Sequence, residues 1–347
     1  MSQVNPSWAV VATVDEPPAL VMAFVAWHLH LGACEVHLYC DNPDHPVRAM
    51  VAHLPQVRVT PCDAAHWGKL GKSRPRRHQV RQVRNARDAY GRTSADWLAH
   101  IDADEFLWAG RPVAQTLVEA APGCDGLIVR VAERMHRPQD RGRSVLEGGF
   151  RRPFNKPPKM GARIFGPDYA LTYRGLTGHA QGKCFVPTKS ALDLSIHRPS
   201  RRDGAEPVFD RADTDDLELL HFDGLTAAFW VYKLSRMQRA LEKQDGMPPS
   251  AHRRAQADAL IADPERGEAL YRRLKVADAA MQAKLEDYDL WLAPGFDPSE
   301  AIARFFPDAS ADLSPAAMEH WLQRHKAGIA GYLRKARQEK GPPEGSP

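Results

Sequence analysis

The 347-residue chain is poor in the features that most simply betray a function class. Its five cysteines (Cys34, Cys40, Cys62, Cys124 and Cys184) form no Cys-x-x-Cys pair and leave one over, so neither a zinc site nor a disulfide framework is indicated. The opening MSQVNPSWAVV has no basic n-region and no apolar h-region, which argues against a secretory signal. The apolar segment between Pro17 and Gly32 carries His28 and His30, and it falls short of the ~20 apolar residues a membrane span requires. A net charge of only +4 suits anionic small molecules but is too weak to argue for nucleic acid. No G-x-G-x-x-G follows the first expected strand, which disfavours a nicotinamide enzyme. The segment GHAQGKC is no Walker A loop, which needs four residues between its glycines and Ser or Thr after the lysine. Here three residues separate Gly178 from Gly182, and Cys184 follows Lys183. These absences leave a soluble, cytoplasmic protein as the expectation.

What is present is an alternation of short apolar runs and helical patterns. WAVVATV (8–14) reads as a buried strand, the stretch from Pro17 to Gly32 as a helix with Gly32 as left-handed C-cap, and EVHLYC (35–40) as a second strand. Strand, helix and strand at this spacing form a βαβ unit and imply a parallel sheet. VRVT (57–60) is a third strand, and residues 75–92 an Arg-rich helix stopped by Gly91. Strand 97–102 and strand 126–131 continue the sheet. Residues 137–168 read as long loops, the kind that are usually functional or mobile. DLSIH (193–197) and LELLHF (217–222) are further short strands. From Thr226 to Arg337 the pattern is helical, interrupted by DGMPPS and LAPGFDP, and GPPEGSP (341–347) should be disordered. The expected organisation is an α/β catalytic domain over 8–235, a helical region over 236–340 and a terminal tail.

Three of the expected parallel strands finish on acids: Asp15-Glu16, Asp41, and Asp102-Ala103-Asp104-Glu105. In open α/β sheets the ligand lies outside the carboxyl ends of the strands, so these acids would share one rim. In an extended segment Asp102 and Asp104 would point the same way, with Ala103 facing elsewhere. Such oxygen pairs suit Mg²⁺ or Mn²⁺ bound together with substrate phosphates. A lone acid at a strand end more often caps a helix or faces solvent. An Asp-x-Asp after a strongly apolar strand, with two other acid-ended strands, favours function.

The order βαβ, Asp closing the second strand, Gln/Asn/Arg helix, then WLAHIDADEFLW (97–108) resembles the GT-A glycosyltransferases. The likeness is to the bacterial family-2-like branch, whose signature reads Trp-Leu-x-x-x-Asp-x-Asp-Glu-Phe. It covers roughly residues 8 to 235 and extends through GHAQGKCFV (178–186), IHRP (196–199) and LLHFDGL (219–225). The resemblance implies a Rossmann-like, mostly parallel sheet with flanking helices and a C-terminal helical extension. It also implies a nucleotide-sugar donor, a divalent metal and transfer to an acceptor hydroxyl, in assembly of a surface glycan or glycolipid. Carried over by motif, Asp102 and Asp104 would meet the ribose, the metal and the diphosphate, with Asp104 catalytic. Thr13, Asp15, Glu16 and Asp41 would hold base and ribose, and Gln79, Gln82 and Lys183 would also face the donor. The acidic motif that supplies the catalytic base in many such enzymes has no clear match, and Glu133 is a candidate by position alone. A salt bridge with Arg134 or Arg137 explains Glu133 nearly as well. A histidine would complete the metal shell: His221 is favoured, with His197 as diphosphate contact or alternative ligand. An imidazole ligand favours Mn²⁺ over Mg²⁺.

Other signals have plainer explanations. Arg81 and Arg84 could reach a diphosphate, though a solvated helix face accounts for an Arg-rich helix. His28 and His30 suit packing or snorkelling. Phe229, Trp230 and Tyr232 could stack on an acceptor sugar, but helical core packing is the simpler role. Partners would be the nucleotide sugar and a glycan or lipid-linked acceptor. Nucleic acid and an integral membrane segment are not expected, and peripheral membrane contact is compatible. Two other readings stay open: a Mg²⁺-dependent phosphohydrolase or phosphotransferase, although Phe106 fills the slot where such enzymes carry Thr or Val, and a non-catalytic nucleotide- or glycan-binding module.

Overall fold

The computed structural model describes residues 5–71, 73–138, 140, 143–155, 158–242, 250–262 and 267–326. The chain divides into two compact units, each built from three separate segments. The first comprises Met1–Glu133, His179–Phe222 and Leu292–Ala311, and the second Arg134–Gly178, Asp223–Trp291 and Asp312–Pro347. Segments of the 8–235 block therefore enter both.

The first unit grows from β1 (Trp8–Val14), whose seven residues are all buried. Burial on both faces is what a run of Val and Ala without polar alternation demands, and it places β1 inside a covered parallel sheet. After it, α1 (Pro18–His30) begins on the Pro17-Pro18 pair and ends before Gly32, whose φ of +96° is the left-handed conformation glycine adopts without strain. Residues 20–26 of α1 are completely buried, as expected for a helix apolar all round, and the helix Ser299–Phe305 packs against it. Next come β2 (Glu35–Cys40), β3 (Val57–Pro61), α2 (His78–Arg92), β4 (Trp97–His100), β5 (Glu105–Ala109), β6 (Gly126–Met135), β7 (Lys183–Pro187) and β8 (Leu217–His221).

Within this unit the strands run in the order β6, β7, β4, β1, β2, β3. β1 pairs in parallel with β2 and β4, and β2 with β3. The late strand β7 inserts antiparallel between β4 and β6. β8 lies antiparallel to β5 and parallel to β6, which puts His221 opposite both Glu105 and Glu133. Beneath α2 a core of Tyr39, Trp67, Tyr90, Leu98 and Ile128 closes one face. The expected mostly parallel α/β sheet with flanking helices, followed by helices toward the C-terminus, is the architecture observed.

Several boundaries differ from expectation for local reasons. The Arg-rich helix starts at His78 and continues through Gly91. It stops where Thr93 and Ser94 are drawn to the Glu35 carboxylate by hydroxyl hydrogen bonds of 2.8 and 2.6 Å. β6 runs on to Met135 because β8 pairs beside it through Glu133. Of DLSIH only Asp193 is strand, as the second residue of the short strand Leu192–Asp193, since the Ser195 hydroxyl turns back to donate to the Arg198 carbonyl at 2.7 Å. Residues 137–168 are not all loop: they hold a strand at Gly149–Arg151, a helix at Pro158–Phe165 and the start of a 3₁₀ turn at Gly166–Leu171.

The second unit is mainly helical, with helices at Ala227–Glu242, Ala251–Ala262, Gly267–Lys275, Ala279–Asp287 and Pro315–His325. Trp230, Leu234, Leu260, Tyr271 and Leu274 form one core, so Trp230 packs rather than presents itself to a sugar. Met135, Phe154, Ile164, Phe165 and Leu285 form another. The Arg134 guanidinium is buried and donates to the carbonyls of Val145, Gly224 and Leu225. Arg137 pairs with Asp140 at 2.6 Å. The expected disordered tail, the helical pattern beyond residue 326 and all of DGMPPS except Ser250 lie outside the described residues.

Candidate active site at the carboxyl rim

The acids expected on one rim do end three mutually parallel neighbours, β1, β2 and β4. The Asp-x-Asp is not extended, however. β4 stops at His100, and a tight turn follows in which the Glu105 N–H donates to the Asp102 carbonyl at 3.0 Å. The turn forms because the Glu105 carboxylate accepts the Asp102 N–H at 2.8 Å, closing a reciprocal pair across four residues. Asp102 and Asp104 consequently meet different surroundings.

Asp102 is held from two directions. The Gln82 amide donates to one carboxylate oxygen, and the Lys183 ammonium lies 2.9 Å from the other. Lys183 is almost completely buried and lies 3.3 Å from Glu105 as well, so one cation serves two carboxylates. Burial by itself would raise both acids. Lys183 outweighs it, holding Asp102 far below the usual carboxylate range and Glu105 at about 2. Burial likewise would lower Lys183, but Asp102 and Glu105 push it above its ordinary value.

Asp104 contributes its carbonyl to the Phe222 N–H at 2.8 Å. Its carboxylate bears on Glu16, which is raised to about 7, first by burial and then by Asp104, with Asp15 and Asp102 adding. The Asp15 N–H, donating to Glu16 at 2.7 Å, opposes that shift. Negative charge therefore accumulates where β1 and β4 end, a setting that welcomes a cation.

α2 supplies the polar contacts to this rim from one side. Arg81 grips Asp41 with two hydrogen bonds of 2.6 and 2.7 Å, and Arg74 adds an ion pair at 3.0 Å. Burial would raise Asp41, but Arg81 prevails and lowers it. Gln82 takes Asp102, and Asn85 donates to Thr13 at 2.9 Å. Gln79 is exposed on the same helix. Arg81 is thus a committed buried partner rather than part of a solvated face. Asn85, which sequence reasoning passed over, sits at the i+4 position from Arg81, a spacing that places both on one helix face.

A second cluster lies at the start of β5. Glu105, His179 and His221 each offer a donor atom, and these atoms all lie within 4.8 Å of one another. His179 Nε2 is 3.0 Å from Glu105, and its ring stands 5.0 Å from that of His221 and 4.5 Å from that of His197. Of the two expected late histidines, His221 joins this group. His197 instead donates from Nδ1 to the Gly182 carbonyl at 3.0 Å and is held at about 4 by burial, helped by His179 and Lys183. Among the described residues, Asp102 and Asp104 are not part of the three-donor group. Glu133 is fully buried in β6, in register with His221. His179 was not expected as a site residue, and Glu105 was expected only as one of the acids on the rim. His179 lies inside GHAQGKCFV, a segment from which the resemblance implied only Lys183 at the donor.

No protein-family model matches the chain, and no curated protein sequence does. No helix among the described residues is long and apolar enough to cross a membrane. Among solved structures the chain is similar to HddC from Yersinia pseudotuberculosis, at 10% identity and a TM-score of 0.34 over 62% of this chain and 93% of that one. It is similar to 4-diphosphocytidyl-2C-methyl-D-erythritol synthase at 11% identity and a TM-score of 0.30, over 62% and 93%. It is also similar to S. aureus TarS 1-349 at 10% identity and a TM-score of 0.33, over 96% and 91%. Likeness at this level says nothing of activity, which has to be argued from the side chains.

Proposed function

We propose that the chain is a GT-A-type glycosyltransferase that moves a sugar from a nucleoside-diphosphate donor to an acceptor hydroxyl, in assembly of a surface glycan or glycolipid. The observation that carries this reading is the placement of Asp102. It opens the turn that follows β4 at the carboxyl rim of the central parallel strands, fixed by Gln82 and Lys183, with Asp104 and Glu16 beside it. A carboxylate so constrained can orient a ribose hydroxyl without reorganising. The Thr13–Glu16 turn and Asp41 flank the same rim and would hold the base and ribose. Asp104 would face the diphosphate and its ion, whose residues here, carboxylates without thiolates, fit Mg²⁺ or Mn²⁺. When bound, such an ion stabilises charge on the departing nucleoside diphosphate. Glu133, buried beside His221, is better placed to orient that imidazole than to meet an acceptor.

Thermal stabilisation by a panel of nucleotide sugars tests the proposal. At 100 times its dissociation constant a true donor adds about 2.7 kcal/mol to unfolding free energy. Asp104→Asn should remove the stabilisation by donor plus ion. If no nucleotide sugar stabilises the protein and aryl phosphates are hydrolysed instead, the transferase reading is wrong.

A further inference from the structure

We propose that Glu105, His179 and His221 form a protein-only site for a first-row transition ion, distinct from the Asp104 carboxylate that faces the donor. The three donor atoms already lie within 4.8 Å of one another, before any ligand draws them together. They come from three chain segments: the first residue of β5, the turn before β7 and the last residue of β8. The convergence has a structural cause. β8 pairs with β5 in a register that sets His221 opposite Glu105. β7 carries Lys183 to the same carboxylate, and His179 precedes it by four residues.

The donor set names the class of ion. Two imidazoles and one carboxylate suit Mn²⁺, Fe²⁺ or Zn²⁺, whereas Mg²⁺ prefers oxygen alone. Three protein donors also leave positions open for water or a substrate oxygen. The surroundings prepare the ligands. Glu105 Oε2 is engaged by the Asp102 N–H at 2.8 Å, leaving Oε1 directed at His179 Nε2 at 3.0 Å. An ion entering there replaces that contact, taking Oε1 and Nε2 as ligands while the neutral imidazole keeps its one proton on Nδ1. Glu133 stands opposite His221 in register, on the neighbouring strand from which an outer carboxylate can orient a ligating histidine.

The inference does not depend on the transfer reading, because the ion is expected to bind without nucleotide. The test is titration of the metal-free full-length chain with Mn²⁺ and with Zn²⁺, followed calorimetrically, together with the electron paramagnetic resonance of bound Mn²⁺. One ion per chain is expected, with nitrogen couplings in the Mn²⁺ spectrum and Mg²⁺ bound far more weakly. His179→Ala and His221→Ala should each weaken binding by upwards of about 100-fold, beyond what losing an outer-shell partner costs. Asp104→Asn should keep the wild-type affinity. Circular dichroism melting of the metal-free variants confirms that each is folded, and the half-exposed His179 provides the variant least bound to fold stability. Wild-type affinity in both folded histidine variants would overturn the proposal. So would Mg²⁺ binding as tightly as Mn²⁺, or loss of the nucleotide-free ion in Asp104→Asn.

Discussion

The Lys183 ammonium stands 2.9 Å from the Asp102 carboxylate, a partner 81 residues earlier in the chain. It also lies 3.3 Å from Glu105, so two carboxylates beside β4 and β5 share one buried cation. Removing that cation leaves buried negative charge uncompensated. Lys183→Met should therefore cost about 3–5 kcal/mol at neutral pH, measured by urea unfolding. The difference from wild type should narrow as pH falls, because Asp102 and Glu105 in the variant protonate more readily. A loss that is small, or that does not change with pH, would show the pair to be incidental.

His28 is expected to make the fold sensitive to mild acid. Its Nδ1 donates to the Phe24 carbonyl at 2.7 Å, while Nε2 accepts the Leu107 N–H at 3.4 Å, so the folded state uses the neutral ring. Burial lowers it from 6.5 to about 4. The unfolded chain thus binds the proton first, and the stability contributed by the neutral ring is present above pH 6.5. It is lost as pH falls from there toward 4, with a slope of about 1.4 kcal/mol per pH unit for this one proton. Chemical denaturation between pH 7 and 4.5 should show this slope reduced in His28→Gln. An unchanged slope would assign the acid loss to other groups.

Asp41 and Arg81 should be energetically coupled. Their two hydrogen bonds of 2.6 and 2.7 Å are buried, so truncating either partner strands the other. A double-mutant cycle with Asp41→Ala and Arg81→Ala should give a coupling of about 1–3 kcal/mol in unfolding free energy. Near-additive losses would mean that Arg74 substitutes for Arg81 without penalty.

Gly182 should tolerate no side chain. Its φ is +68°, and a Cβ there would collide with the Val129 carbonyl oxygen. Its own carbonyl accepts from His197. Gly182→Ala is expected to cost more than the ~1–2 kcal/mol of left-handed strain alone, because the backbone oxygen cannot yield. Urea unfolding checks this, and a change within about 0.5 kcal/mol, the range of ordinary surface substitutions, would refute it.

Sequence patterning alone determined the opening βαβ unit, the parallel association of acid-ended strands and the rim position of Asp102. Each is a local consequence of hydrophobic period and of where an apolar run gives way to charge. The strand WAVVATV is buried end to end, and EVHLYC follows it at the expected boundaries. Tertiary structure alone decided which side chains meet. A hydrophobic pattern is satisfied by any neighbour of the right period, so it does not reveal that β7 inserts between β4 and β6, or that β8 lies against β5. Those two pairings bring Lys183 to Asp102 and gather Glu105, His179 and His221. The turn at Asp102–Glu105 was equally hidden, because it depends on a carboxylate reaching back to a backbone N–H rather than on side-chain alternation. Chemistry at this rim is set by contacts distant in sequence, and such contacts exist only once the sheet has chosen its strand order.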